Sequence, residues 1–503
     1  MRLFLPRRMT VTIWLLIIQI AIIAALTVLV FRYYPIIWYF GFAISIFALL
    51  YILKKDDASA YKITWIAIVL LIPAVGGILY VLIGNKRPLK RISAHAKEHA
   101  LIARLLDSAP DIPFSEQHRR MGSLFKYVRD ISAYHTYENT KVTYFPMGEL
   151  MFRDMLADLE KAERFIFLEF FIIKKSEMWD AIVEVMARKA SEGVDVRIIV
   201  DDLGSHRLFT NAYIAELRAQ NIKVLQFNPM VPFLLFFMNN RDHRKILVVD
   251  GVCAFTGGIN IADEYINKKE RFGVWKDTGL KLEGEAVWSF TLMFIEMWDT
   301  FCRAEERIHD HTSYMTATNL EPDGIVLPYG DTPLDKTQLA ENIYVDVLNQ
   351  AKRYVYIFTP YLIISEKMII ALQVAAGRGV DVRIVTPGIP DKKYINRLTR
   401  SYYNYLLSAG VRIYEYTPGF MHAKSFVSDD DVAVVGTINL DFRSLYLHFE
   451  CAVLLYKSSV IKEIKDDVLQ SIALSREVKH GDRKINIFNS VMDAVLHLFA
   501  PLL

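Results

Sequence analysis

The sequence predicts a duplicated α/β protein: two mixed, largely parallel sheets with helices on both faces, preceded by N-terminal transmembrane helices. Three observations predict it. Strand-like and helix-like stretches alternate in the same order twice between residues 141 and 482. The hexapeptide Gly-Val-Asp-Val-Arg-Ile occurs at 193–198 and again at 379–384. The pattern HxKxxxxD occurs once in each repeat, as His243, Lys245, Asp250 and as His422, Lys424, Asp429.

In chain order, the first 85 residues read as a membrane anchor with two or three crossings, at about 11–31, 36–53 and 63–84. Val11 to Phe31 is uncharged, interrupted only by Gln19, and long enough to span a bilayer. No small-residue cleavage site precedes Arg32, so a retained helix is expected rather than a cleaved signal. Basic flanks at Arg2, Arg7 and Arg8, at Lys54-Lys55 and at Lys86 to Arg91 all favour the cytoplasmic side, and three crossings cannot satisfy every one. Pro73 and Gly76-Gly77 allow the third segment a kinked or re-entrant path. Overall, 53% hydrophobic and 23% charged residues with a formal charge of +3 fit a sizeable folded protein with an embedded part and exclude a disordered chain.

Residues 86–140 form a basic juxtamembrane linker. Its amphipathic stretch, 95–109, suits either anionic headgroups or a solvated flank. The first α/β half follows at 141–312. Strands at 163–173, 194–202 and 223–228 alternate with helices at 179–193 and 211–221, the periodicity switching from two to 3.6. A Pro- and Gly-containing linker, 313–335, leads to the second half, 336–482, which repeats the order. Residues 483–503 form an amphipathic helix with apolar side chains at helical spacing. The apolar, proline-broken run from Phe227 to Met238 is too short to span; it reads as core or as a lip that dips into lipid. Cys253, Cys302 and Cys451 are too scattered for a disulfide framework or a zinc site.

The two HxKxxxxD copies share a tail, Gly257-Gly258-Ile259-Asn260 in one and Gly436-Thr437-Ile438-Asn439 in the other, at the same distance from the histidine. One copy alone is a weak signal; two with the same tail are not. Each places His and Lys on one face of a buried strand. An imidazole can serve as nucleophile or general acid/base, and a lysine beside it fixes an anionic oxygen. Two of each, with Asn260 and Asn439 as donors, would surround one phosphate, so a phosphohistidine intermediate is expected with no metal and no cofactor. Asp250 and Asp429 belong to the motif, yet by position they enter the turn after the strand, which favours a hydrogen-bonding role.

The duplicated motif and the words NRDHRKILVVDG, GGINIADEY, WKDTGLKLEG, MHAKSFVSD and GTINLDFRSLYLHFE resemble the phospholipase D superfamily, and within it the bacterial cardiolipin synthases. The resemblance runs from about Ile63 to the C-terminus. It implies a phospholipase D-like fold at the cytoplasmic membrane and transfer of a phosphatidyl group between two phosphatidylglycerols, giving cardiolipin and glycerol. It also implies a supporting carboxylate downstream of each motif, matched by Asp277 in the first half and Glu450 in the second. Glu169, Thr359-Pro360-Tyr361 and Arg443-Ser444 match words that line or brace the pocket. Gly279, where many members carry histidine, and His448, where asparagine is common, are departures.

Rival readings are hydrolysis or transfer to another alcohol, a nuclease, and a membrane scaffold. Membrane segments and the lack of a basic, aromatic-interleaved groove speak against nucleic acid. Intact His and Lys in both copies speak against a scaffold. Phosphatidylglycerol, cardiolipin and anionic membrane lipid are the partners expected.

Overall fold

The computed structural model describes residues 35–73, 75–84, 89–106, 119–229, 239–318, 320–334, 337–482 and 486–502, with Trp14, Ile18, Ala21 and Ala25. Two sheets form its centre. The first has seven strands in the order Thr140–Phe145, Gly279–Gly284, Cys253–Gly257, Lys245–Val249, Phe165–Phe170, Asp195–Asp201 and Ile222–Phe227. The second repeats this around Ser425–Ser428, Tyr354–Phe358, Asp381–Pro387 and Arg412–Tyr416, with Val432–Gly436, His448–Tyr456 and Ile325–Asp331 on the other side. Two corrections follow. Along the main run of each sheet, the three strands joined through helices are parallel, while the hairpin after each HxK strand leads into antiparallel neighbours. The expected linker 313–335 holds strand Ile325–Asp331, which pairs antiparallel with His448–Tyr456.

The halves share one core. Phe167, Ile246, Leu282 and Phe294 of the first lie in the same buried cluster as Phe358, Val435, Cys451 and Val453 of the second. Helix Val287–Phe301 is buried on nearly all sides, which suits its apolar sequence. At roughly 1.5–3 kcal/mol for each large apolar side chain removed from water, this shared interior holds the halves in fixed relation.

Two short parallel pairings stitch the seam. Arg241–Asp242, just before His243, pairs with His448-Phe449, just before Glu450. Gly419–Met421, just before His422, pairs with Val274–Lys276, just before Asp277. Each histidine is thereby delivered beside the carboxylate of the opposite half.

Near the N-terminus, helix Pro35–Lys54 packs on Gly76–Ile83. A Cβ at Gly77 would lie 2.5 Å from the Ser45 Cα, so only glycine permits this approach. The third apolar segment is two helices, Ser59–Leu71 and Gly76–Ile83, broken around Pro73, whose ring cannot continue a helix. Among the described residues no helix is long and apolar enough to cross a membrane. Most of the 11–31 segment, and residues 230–238 of the apolar run, lie outside the described residues.

Helix Leu89–Leu106 does not lie free for headgroups on its apolar side. Ile102 and Leu106 are buried with helix Val287–Phe301, and His99 Nδ1 meets Glu296 at 2.9 Å. The C-terminal helix Ile487–Phe499 is held by Arg397 on Asp493 at 3.0 Å and by Thr64 Oγ1 donating to the Leu498 carbonyl at 2.6 Å. Its outer face leaves Ile487, Phe488, Val491 and Val495 exposed.

Candidate active site

A cavity of about 630 Å³ opens at the seam, lined by His243 and Asn260 from the first half and His422 and Asn439 from the second. Both imidazoles are 7% exposed, so each ring is positioned by packing rather than by solvent. His243 stands edge-on to Phe171, with centroids 5.1 Å apart. Tyr265 and Trp275 bracket His422 at 5.5 and 5.4 Å.

The supporting carboxylates differ from the expected arrangement. The resemblance placed one downstream of each motif within its own half; the structure exchanges them. His243 Nδ1 lies 2.9 Å from Glu450 Oε1, and His422 Nδ1 lies 2.6 Å from Asp277 Oδ2. The seam pairings are the reason, because backbone register carries over to side chains: the His243 N–H donates to the Phe449 carbonyl at 2.9 Å and the His422 N–H to the Lys276 carbonyl at 2.7 Å. A carboxylate on Nδ1 holds that proton and leaves Nε2 for the cavity.

The tails explain how two carboxylates of unequal length do the same work. Gly258 and Thr437 occupy matching positions in GGIN and GTIN. A Cβ at Gly258 would lie 2.0 Å from Asp277 Oδ1, so the glycine makes room for the shorter acid. Thr437 instead donates its hydroxyl to Glu450 Oε2.

Lys245 opens its strand and Lys424 immediately precedes its own, both buried, and each ammonium reaches the backbone carbonyl of its own histidine. Lys424 Nζ is also 2.9 Å from His422 Nδ1. Burial pulls Lys245 down to about 8 and Lys424 to about 7. Burial, helped by Lys245 and Lys424, holds His243 well below its ordinary value. His422 is lowered to about 4 by burial and Lys424, against the opposing pull of Asp277. For Asp277, burial pushes upward, but His422 and Lys424 outweigh it and keep the carboxyl below the usual range. The result is a site of buried neutral imidazoles and weakly held ammonium protons, and an arriving phosphodiester anion would favour the protonated form of each.

Asn260 is held on both sides, Oδ1 accepting from the Ile172 N–H at 3.1 Å and Nδ2 donating one hydrogen to the Tyr265 hydroxyl at 2.9 Å, which leaves its second amide hydrogen to donate. Asn439 Oδ1 is buried without a hydrogen-bond partner. Asp250 and Asp429 do not reach the cavity. Asp250 accepts the N–H groups of Glu163, Arg164 and Phe165, and Asp429 those of Lys352, Arg353 and Tyr354. Both adopt left-handed backbone, φ 55° and 57°, and each tethers its hairpin to the start of the neighbouring strand, Phe165–Phe170 or Tyr354–Phe358. Their place among the catalytic residues of the motif is therefore corrected to that of turn anchors.

Tyr361 and Arg443 line the cavity. Glu169 is fully buried behind it, 3.9 Å from Arg244. Thr437, Gly258 and Arg241 were not singled out from the sequence, although the differing second letters of GGIN and GTIN carried the signal for two of them. His448, noted only as a departure, lines the cavity with its ring centroid 5.5 Å from His243.

A doubled α/β domain whose halves each give one histidine and one asparagine to a single pocket, with a buried lysine beside each histidine, is a phospholipase D-like architecture. A family model described as cardiolipin synthase, PLD-like domain, matches residues 155–298 and 344–471, and one described as phospholipase D-nuclease N-terminal matches 43–85. The chain is 34% identical over 466 residues to a cardiolipin synthase of Geobacillus kaustophilus, covering 91% of this chain and 92% of that one. It is 33% identical over 472 residues to cardiolipin synthase 2 of Bacillus cereus, covering 92% and 91%. In fold it is similar to the phosphatidylserine synthase of Haemophilus influenzae, with a TM-score of 0.52 at 14% identity over 75% of this chain and 97% of that one. The chain belongs to the cardiolipin synthase family of the phospholipase D superfamily.

Proposed function

We propose that the protein is a phosphatidyltransferase that condenses two phosphatidylglycerols into cardiolipin and glycerol. The observation that carries this reading is the pair of buried imidazoles on one cavity, each backed by a carboxylate from the other half. His243 Nε2 attacks phosphorus as the bond to the glycerol oxygen breaks, and His422, protonated on Nε2 once the phosphodiester anion is bound, delivers that proton to the oxygen and is left neutral. Neutral His422 then takes the proton from the terminal hydroxyl of a second phosphatidylglycerol. That oxygen attacks the phosphatidyl-histidine, the P–N bond breaks and His243 is restored.

The assignment of the nucleophile follows from the charges. Burial and two ammonium groups hold His243 well below its ordinary value, and burial and Lys424 also lower His422, but Asp277 offsets part of that and makes His422 the easier of the two to protonate, which supports its role as the acid. Lys245, Lys424, Asn260 and Asn439 are the donors for the charge that builds on the phosphate oxygens. The purified full-length chain, given labelled phosphatidylglycerol alone, is expected to release cardiolipin and glycerol in equal amounts. Phosphatidic acid without cardiolipin would reject transfer in favour of hydrolysis.

The N-terminal segments act in this reading as a membrane anchor at the bacterial cytoplasmic membrane, with the broken third segment taking a re-entrant path. Support comes from exposed Tyr39, Phe40, Phe47 and Leu53 on helix Pro35–Lys54, and from the exposed apolar face of the C-terminal helix. Thr64 ties the two regions together, and Ala500, at the end of the C-terminal helix, lines the cavity. Lipid would thus reach the pocket along an apolar edge.

A further inference from the structure

We propose that Nδ1 of His243, His448 and Glu450 form a site for a divalent transition-metal ion such as Zn²⁺, and that filling it switches the catalytic histidine off. One donor atom from each residue lies within 4.8 Å of the other two. Two imidazole nitrogens and a carboxylate are a donor set such ions prefer, and a tetrahedral ion with bonds of about 2.0–2.2 Å needs only small side-chain rotations to close the gap.

His448 supplies an independent observation. It is 9% exposed, lines the cavity, and has no hydrogen-bond partner on Nδ1 or Nε2. A buried imidazole that makes no hydrogen bond and meets a carboxylate only at a longer distance is costly, and nothing in the phosphatidyl transfer described above uses this ring. Its Nδ1 lies 3.8 Å from Glu450 Oε1, already facing the carboxylate that backs His243. Thr437 holds the other carboxylate oxygen, so Oε1 can turn to an ion while the glutamate stays anchored.

The consequence for His243 is a tautomer exchange. Without metal, its one ring proton sits on Nδ1 and is donated to Glu450, which leaves the Nε2 lone pair for phosphorus. An ion that takes the Nδ1 lone pair forces that proton onto Nε2; the ring stays neutral and no proton is lost overall. A protonated Nε2 cannot attack. The ion is therefore an inhibitor, not a cofactor.

The test titrates the full-length chain in detergent with Zn²⁺ alone by calorimetry, and with Co²⁺ by its visible absorption. One ion per chain is expected, with the Co²⁺ spectrum of a tetrahedral nitrogen and oxygen site. His448→Asn, which removes one of the three protein donors, should weaken binding by more than the roughly tenfold that loss of an outer partner costs, while His480→Gln, on the exposed surface, should leave it unchanged. Zn²⁺ should slow phosphatidylglycerol turnover, and His448→Asn, scaled to its own metal-free rate, should need correspondingly more. Absence of a bound ion in the wild-type chain, or binding that survives His448→Asn, would overturn the proposal. The inhibition arm rests on the proposed reaction, but the binding arm does not, so failure of one is distinguishable from failure of the other.

Discussion

Glu450 of the second half lies 2.9 Å from Nδ1 of His243 of the first, and the reciprocal pair, Asp277 and His422, lies at 2.6 Å. Neither half thus contains a complete catalytic unit. Each supplies an imidazole that the other orients, which ties formation of the site to assembly of the seam.

If the crossed pairs set the tautomers, Glu450→Gln and Asp277→Asn should each lower kcat by about 10²–10⁴-fold with little loss of folded protein. Nitrogen-edited NMR of the imidazoles assigns the effect. Glu450→Gln is expected to move the His243 Nδ1 proton and Asp277→Asn that of His422; the reverse pattern would refute the exchange.

Gly258→Ala tests the space beside Asp277. The added methyl falls 2.0 Å from Oδ1, so the carboxylate must turn away from His422, and kcat should fall by about tenfold or more while substrate affinity is largely kept. Thr437→Val should do the same to His243 through Glu450. An unchanged kcat in both variants would contradict the roles given to the two tails.

Asp250 and Asp429 are expected to matter for stability rather than rate. Each accepts three backbone N–H groups, so alanine at either position should cost about 1–3 kcal/mol. Asparagine tolerates the left-handed backbone better and should cost less. Thermal melts and the specific activity of the folded fraction separate the effects. Loss of activity in a fully folded Asp250→Ala variant would restore a direct chemical role.

The depressed ammonium groups give a pH profile with a worked sign. Lysines act here as cations, so kcat/KM should fall as pH rises through about 7 to 8, where Lys424 and Lys245 lose their protons. Burial and the two ammonium groups hold the nucleophile His243 well below its ordinary value, so the acid limb, where this ring gains a proton, should lie well below neutrality. Lys424→Arg, charged throughout, should shift the alkaline limb upward. A profile that still rises above pH 8 would count against the lysine assignment.

Much of this was legible in the sequence because duplication leaves a pattern. The repeated GVDVRI, the paired HxK strands and the matching tails named both halves and both imidazoles. The sense of the sheets was misread because hairpins after Val249 and Ser428 return the chain antiparallel, and apolar runs look the same in either direction. The exchange of Asp277 and Glu450 depends on register between Arg241–Asp242 and His448-Phe449, and on its counterpart at Gly419–Met421, two pairings too short to leave a periodic signal. Helix Leu89–Leu106 showed amphipathicity but not its partner; a stripe that fits headgroups fits helix Val287–Phe301 equally well.

The direct measurement is to quench the enzyme during turnover of phosphatidylglycerol labelled in its phosphate, under alkaline conditions that preserve P–N bonds, and to sequence the labelled peptide. Label on His243, absent in His243→Ala, is the expected result, with both formation and discharge of the adduct slowed in His422→Ala. Label on a serine, aspartate or lysine, or cardiolipin formed at the wild-type rate by either alanine variant, would contradict the mechanism.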